Sequence, residues 1–205
     1  LVLASAVGAG VKPPTFEAAF DTRGEPTNAH YRVVYGPAIA PRHLEVWRHG
    51  ETRVKRVTDG AIEVQAVRHP GRDDFEMMVL DKRRRTLTKV NRTNLYRIGD
   101  FTDWFDLTHG LRHPRGAYRV AFVGTPKGVP AAGRPCRWIE MDQGARKTDI
   151  CWSASTGLPW LIVNDAGAVV WKITSFDDRK IAASAFHVDP RGYTRVDADQ
   201  DISAD

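Results

Sequence analysis

The sequence predicts a mainly β protein (α+β class) in which short helices lie on an antiparallel sheet, and three observations predict it. From Tyr31 onward apolar and polar residues alternate with the period of a half-buried strand. The alternating segments are separated by turn residues rather than by helical stretches. One aromatic-rich interruption, "NLYRIGDFTDWFDLTHGLRHPRG", changes to helical spacing.

The strands read in order as a meander. "HLEVWR" runs into His49-Gly50, "TRVKRV" into Asp59-Gly60 and "AIEVQAV" into "HPGRDD", after which "FEMMVL" and "TLTKV" follow. Asp59-Gly60 is the sharpest turn among these, because both central positions of a tight hairpin need positive φ and this pair tolerates it. Beyond the interruption the alternation resumes with "AYRVAFV", a hairpin containing both cysteines, "PWLIV", "AVVWKIT" and a final "AFHV". Asn164 to Gly167 forms the turn between "PWLIV" and "AVVWKIT".

In the interruption Thr102 is placed to cap a helix with Asp103 in its first turn. Trp104, Leu107 and Leu111 recur on one face, Phe101 and Phe105 widen it, and Gly110 and Pro114 stop it. A second short helix is expected at "PTFEAAF", with Pro14 in the first turn. An aromatic helix laid on a curved sheet makes either a solid core or a cavity, and both outcomes stay open.

Cys136 and Cys151 lie symmetrically about Gln143-Gly144. If Met141 pairs with Arg146 across a loop Asp142–Ala145, Cys136 faces Cys151 in a non-hydrogen-bonded pair, close enough for a disulfide. Such a bond persists outside the cytosol. Two unpaired buried thiols are the alternative, and two cysteines alone are too few ligands for a metal site.

With 205 residues and 42% apolar content the chain suits one domain with a sizeable core, residues 13–205. Residues 1–12 begin with the small-residue-rich "LVLASAVGAG" and read as the remnant of an export signal or the tail of an anchor. No apolar run further along is long enough to span a bilayer. The net charge of +5 suits anionic membranes or acidic partners. The densest basic stretch, Asp81 to Arg97, reads as a solvated strand end, and an exported location argues against nucleic acid. Asn91-Arg92-Thr93 fits a glycosylation sequon.

Three stretches resemble the bacterial lipoprotein-carrier superfamily of LolA/LolB-like half-barrels. "FHVDPRGYTRVD" (186–197) is similar to that family's closing pattern of Phe, Pro-x-Gly and Val-Asp. "LEVWRHGETRV" (44–54) resembles its strand, Arg-Pro turn and strand unit, with His49 in place of the proline. "TGLPWLIVNDAG" (156–167) resembles its Gly-Leu-Pro entry into a hairpin. The likeness runs roughly from Phe16 to Asp197. It implies a strongly curved antiparallel sheet, a half-barrel, with short helices covering the concave face. Arg48 matches the carriers' arginine that bonds the lid over their cavity. The implied cavity and lid candidates are Trp47, Arg48, Phe101, Trp104, Phe105, Leu107 and Leu111. An acyl chain held there would gain about 0.8 kcal/mol per enclosed methylene.

The sequence lacks a nucleophile elbow, a zincin helix, a phosphate-binding glycine loop and a haem motif. His109 and His113 have helical ligand spacing, but Gly110 and Pro114 interrupt the helix they would need. Asp73-Asp74 and Asp177-Asp178 read as turn residues. The expectation is therefore a non-enzymatic periplasmic protein with no cofactor and no metal. It would hold a lipid, an acylated protein or another long apolar ligand, with peripheral or inner-membrane-anchored contact. The alternative is an accessory subunit of a cell-envelope complex that uses the same fold without a ligand.

Overall fold

The computed structural model describes residues 13–71, 74–90 and 103–197. Its strands are β1 (Asn28–Tyr35), β2 (Arg42–His49), β3 (Arg53–Thr58), β4 (Ile62–Arg68), β5 (Phe75–Asp81), β6 (Thr86–Val90), β7 (Arg119–Val123), β8 (Arg137–Asp142), β9 (Lys147–Ser153), β10 (Leu158–Asn164), β11 (Val169–Asp177) and β12 (Thr194–Asp197). They form one open, curved sheet in the order β12-β6-β5-β4-β3-β2-β1-β11-β10-β9-β8-β7, a half-barrel with two short helices. All neighbours are antiparallel except β12, which runs parallel to β6. The segment 1–12, Phe101, Thr102, the sequon at Asn91, Asp73 and the last part of the basic stretch fall outside the described residues.

Period two decides what each face receives. Tyr31, Val46, Arg56, Val64 and Val79 are successive cross-strand partners from β1 to β5, and Ala29, Arg48, Val54, Ala66, Met77 and Val90 form the next row on the same side. This is the inner face, and it is mainly apolar and buried. His30, Trp47, Lys55 and Gln65 make a polar-aromatic row on the outer face. The turn from β3 to β4 is the expected one: Asp59 has φ 49°, Gly60 φ 66°, and the Ala61 N–H donates to Thr58 O at 2.9 Å. Asn164 to Gly167 also turns as expected, with the Gly167 N–H donating to Asn164 O at 2.9 Å.

Helix α1 (Phe16–Ala19) is capped by Thr15, so Pro14 precedes the cap instead of entering the first turn. Helix α2 (Trp104–His109) is capped by Asp103, whose carboxylate accepts from the Asp106 N–H at 2.7 Å. The expected cap one residue earlier gives way because a carboxylate serves both the free N–H groups and the positive end of the helix. Gly110, at φ 70°, ends the helix. Six residues are too few for a helix to persist in isolation, so packing holds this one.

The cysteine hairpin turns one residue later than expected. Gln143 to Arg146 form its loop, with the Gln143 N–H donating to Arg146 O at 3.0 Å, and Asp142 pairs with Lys147. Two contacts favour this register. The Asp142 carboxylate accepts from the Gly144 N–H at 2.8 Å, and Lys147 Nζ lies 3.3 Å from Glu140 and 3.9 Å from Asp142. Cys151 therefore faces Trp138, and Cys136 reaches it diagonally from just outside β8. The disulfide forms nonetheless, with the Cα atoms 5.3 Å apart, because residues two apart on a strand share a face.

The expected last strand "AFHV" is not a strand. Ala183–Phe186 is a 3₁₀ turn within a long connection that leaves β11 and returns to pair β12 with β6 at the far edge of the sheet. That connection touches the sheet on its way. Its Ile181 N–H donates to Asn28 Oδ1 at 3.4 Å, and Ala185 O accepts from Lys55 Nζ at 3.0 Å. A segment that passes over strands cannot also join their ladder.

Lys55 is held in turn by Glu63, whose carboxylate is nearly buried, 3.7 Å from Lys55 and 3.0 Å from Lys82. Burial alone pushes the Glu63 carboxyl upward, but the hydrogen bonds from Gln65 and Lys82 and the Lys55 charge outweigh it and leave it below the usual glutamate range. A depressed folded value means that this stabilisation is complete above the unfolded pKa and is lost as pH falls through the folded one. Glu63→Gln is therefore expected to flatten the fall of stability with pH below about pH 4, measured by urea unfolding across an acid series. In the same assay at neutral pH, Cys136→Ser is expected to lower the unfolding free energy by about 2–4 kcal/mol, and non-reducing peptide mapping to recover Cys136 joined to Cys151 in the parent protein.

Candidate functional site

The site that the sequence points to is the contact between the inner face and α2. Tyr31 on β1 donates its hydroxyl to Thr108 O at 3.2 Å, and Arg56 on β3 donates to Asp106 O at 3.2 Å. Burial pushes the Tyr31 hydroxyl up to about 12, against the opposing pull of Arg56 and Arg48, so it stays a neutral donor. Trp104 packs on Phe75 with ring centroids 5.5 Å apart, under the Arg68 guanidinium at 5.8 Å. Leu107 enters the larger core cluster, which includes Tyr31, Val46, Val54, Phe75 and Trp171. Leu111 enters a second cluster with Phe16, Phe20, Ile139, Ile150 and Trp152. Burying each leucine contributes about 1.5–3 kcal/mol. Phe105 bridges the two helices, 5.5 Å from the Phe16 ring and 6.0 Å from Trp152. At the end of α2 the backbone comes so near Trp171 that a Cβ on Gly110 would stand 2.5 Å from its ring.

The electrostatic centre of this contact is Arg48, only 1% exposed. Its Nη1 donates to Glu25 Oε2 at 2.7 Å, and its Nη2 to Thr156 O at 3.3 Å. His109 on α2 donates through Nε2 to the same Glu25 oxygen at 2.8 Å. One carboxylate from the segment between α1 and β1 thus joins a sheet arginine to a helix histidine. Glu25 also lies against Gly157, a position at φ 64° with no room for a side chain. Arg48 Nε is buried and has no hydrogen-bond partner among the described residues.

Of the sequence candidates, Arg48, Trp104, Phe105, Leu107 and Leu111 meet at this contact, whereas Trp47 does not. One residue away on a strand means the opposite face. Trp47 stacks on His30 at 4.9 Å and lies under Lys55 Nζ at 4.9 Å, on the side that the C-terminal connection crosses. Phe101 falls outside the described residues. His109 and His113 point to different carboxylates, Glu25 and Glu17, and no group of three or more metal-ligating side chains occurs among the described residues. Asp177, expected in a turn, is instead the last residue of β11, opposite His30, and Arg179 just beyond the strand holds its carboxyl down to about 2. Glu25 was missed by sequence reasoning because a lone acid in "RGEPTN" carries no periodicity. Tyr31 was hidden in an ordinary strand.

Fold and site together define an open half-barrel whose inner face is closed by a latched helix. No protein-family model matches the chain, and no curated protein does. Solved structures similar to it include that of MucB, with 16% identity over 83% of this chain and 60% of that one at a TM-score of 0.41. Another is the Pseudomonas aeruginosa MucA/MucB complex, at 17% identity, 82% and 58% coverage and a TM-score of 0.43. A third is MucB with MucA(peri), at 16% identity, 82% and 56% coverage and a TM-score of 0.42. The chain spans less than two thirds of the length of each. No helix among the described residues is long and apolar enough to cross a membrane.

Removing the Glu25 carboxylate strands a guanidinium that is almost fully buried, whereas removing the guanidinium leaves a carboxylate that is partly exposed and still bonded to His109. Glu25→Ala is expected to destabilise the protein by about 3–5 kcal/mol, and Arg48→Met by distinctly less, when both are compared by denaturant unfolding. Equal losses would mean that the latch is not the electrostatic unit described.

Proposed function

We propose that this chain is a non-enzymatic, exported accessory subunit that works by binding another protein of the cell envelope, rather than a carrier with an acyl chain in its half-barrel. The observation that carries this reading is the occupancy of the inner face. Trp104 on Phe75, Leu107 and Leu111 in their clusters, and Trp171 against Gly110 put the protein's own side chains where a ligand would lie. An acyl chain would have to displace α2, and with it the contacts of His109 to Glu25 and of Arg56 to Asp106 O. A cross-strand disulfide suits an oxidising compartment, and the periplasm is the location proposed.

The test is made on protein isolated from its native compartment. Organic extraction followed by mass spectrometry is expected to yield no stoichiometric acyl species, and a fluorescent fatty-acid probe no saturable binding. Crosslinking in intact cells is expected to join the chain to a discrete envelope protein. A stoichiometric bound lipid would overturn the reading in favour of the carrier.

A further inference from the structure

We propose that the outer edge of β7 is the docking strand for an extended, acidic segment of a partner polypeptide, which adds one more antiparallel strand to the sheet. The proposal rests on the interaction reading above and specifies where the partner is taken up.

Among the described residues β7 ends the sheet and pairs only with β8. Its ladder runs without a bulge from Arg119 opposite Asp142 to Val123 opposite Trp138. It contains no proline and no lysine, two of the devices that blunt a free edge. The opposite edge is different in kind. β12 is a four-residue parallel strand fixed by its neighbours, with Thr194 N–H donating to Arg85 O at 2.8 Å and Arg85 Nε donating to Gly192 O at 2.9 Å.

The side chains of β7 indicate what would fit. Val120 is buried against α1 and its neighbours, which fixes the strand, while Phe122 is 48% exposed. The Arg137 guanidinium lies 4.8 Å from the Phe122 ring. Arg119 is exposed, and Asp142 opposite it is engaged by Lys147 at 3.9 Å. Neither arginine makes an ion pair among the described residues. A strand laid on this edge gains main-chain hydrogen bonds from β7, an apolar contact at Phe122 and two cations for its carboxylates. A second copy of the chain is a poor occupant, because it would bring the same arginines and a net charge of +5 to meet their own kind.

The probes for the test are an acetylated, alternating nonapeptide with valine and threonine on one side and glutamate and aspartate at both ends, and its lysine counterpart. Binding is read by fluorescence anisotropy, and location by hydrogen exchange of the amides 119–123. The acidic peptide is expected to bind, to protect those amides and to weaken as salt is raised. Arg119→Glu combined with Arg137→Glu changes only exposed side chains. It is expected to weaken the acidic peptide by roughly tenfold or more and to gain binding of the lysine peptide. Three results would overturn the proposal: no protection at 119–123, unchanged affinity in the double variant, or concentration-dependent self-association protecting the same amides. A crosslinked envelope partner whose contacts miss β7 would also remove this edge as the docking strand, while leaving the interaction reading intact.

Discussion

A guanidinium sealed from water must keep its carboxylate, and much of this architecture is arranged so that Arg48 does. The cost of an unpaired buried charge exceeds what any single apolar contact in the core returns. Arg48 lies on β2, Glu25 precedes β1, His109 ends α2 and Thr156 precedes β10. Four parts of the chain far apart in sequence therefore meet at one ion pair. Their relative positions are set more narrowly than hydrophobic burial would require, since packing tolerates small shifts and a shared carboxylate oxygen does not.

The two faces of the sheet are covered by different means. On the inner face two short helices and the residues that end them supply Phe16, Phe20, Leu107 and Leu111, and the latch orients the second helix. On the outer face the covering is a connection from β11 to β12 held by single hydrogen bonds, and beneath it Lys55, Glu63 and Lys82 form a compensated charge cluster. The inner face is mainly apolar and aromatic, whereas Lys55 and Lys82 in the outer cluster stay partly exposed.

How much of this could be read from the residues depended on whether the signal was local. Asp59-Gly60 announced its turn because positive φ at two adjacent positions is a property of that dipeptide alone. The helix at Trp104 was legible from its spacing and from Gly110. The cysteine pair was legible as a pair, but its register was not. Symmetry about Gln143-Gly144 ignores the bond from the Gly144 N–H to Asp142 and the attraction of Lys147 for Glu140, which move the turn by one residue. "AFHV" has the composition of a strand and lies where no strand can pair. Trp47 and Arg48 were grouped because they are adjacent, although adjacency on a strand separates them to opposite faces. Glu25 had no local signature, because its role exists only once the sheet and α2 have come together.

The same division between local and assembled information separates the two half-barrel functions. A carrier and a binding subunit need the same alternating strands, so the pattern that specifies the sheet is silent about what fills it. The difference lies in whether the covering helix is free to leave. Here its departure would expose Leu107 and Trp104, strand the Arg48–Glu25 pair without His109 and open the space beside Trp171. Those losses fall on one six-residue element and occur together. A ligand entering there would have to supply interactions to all of them, whereas a partner that adds to an open sheet edge disturbs none.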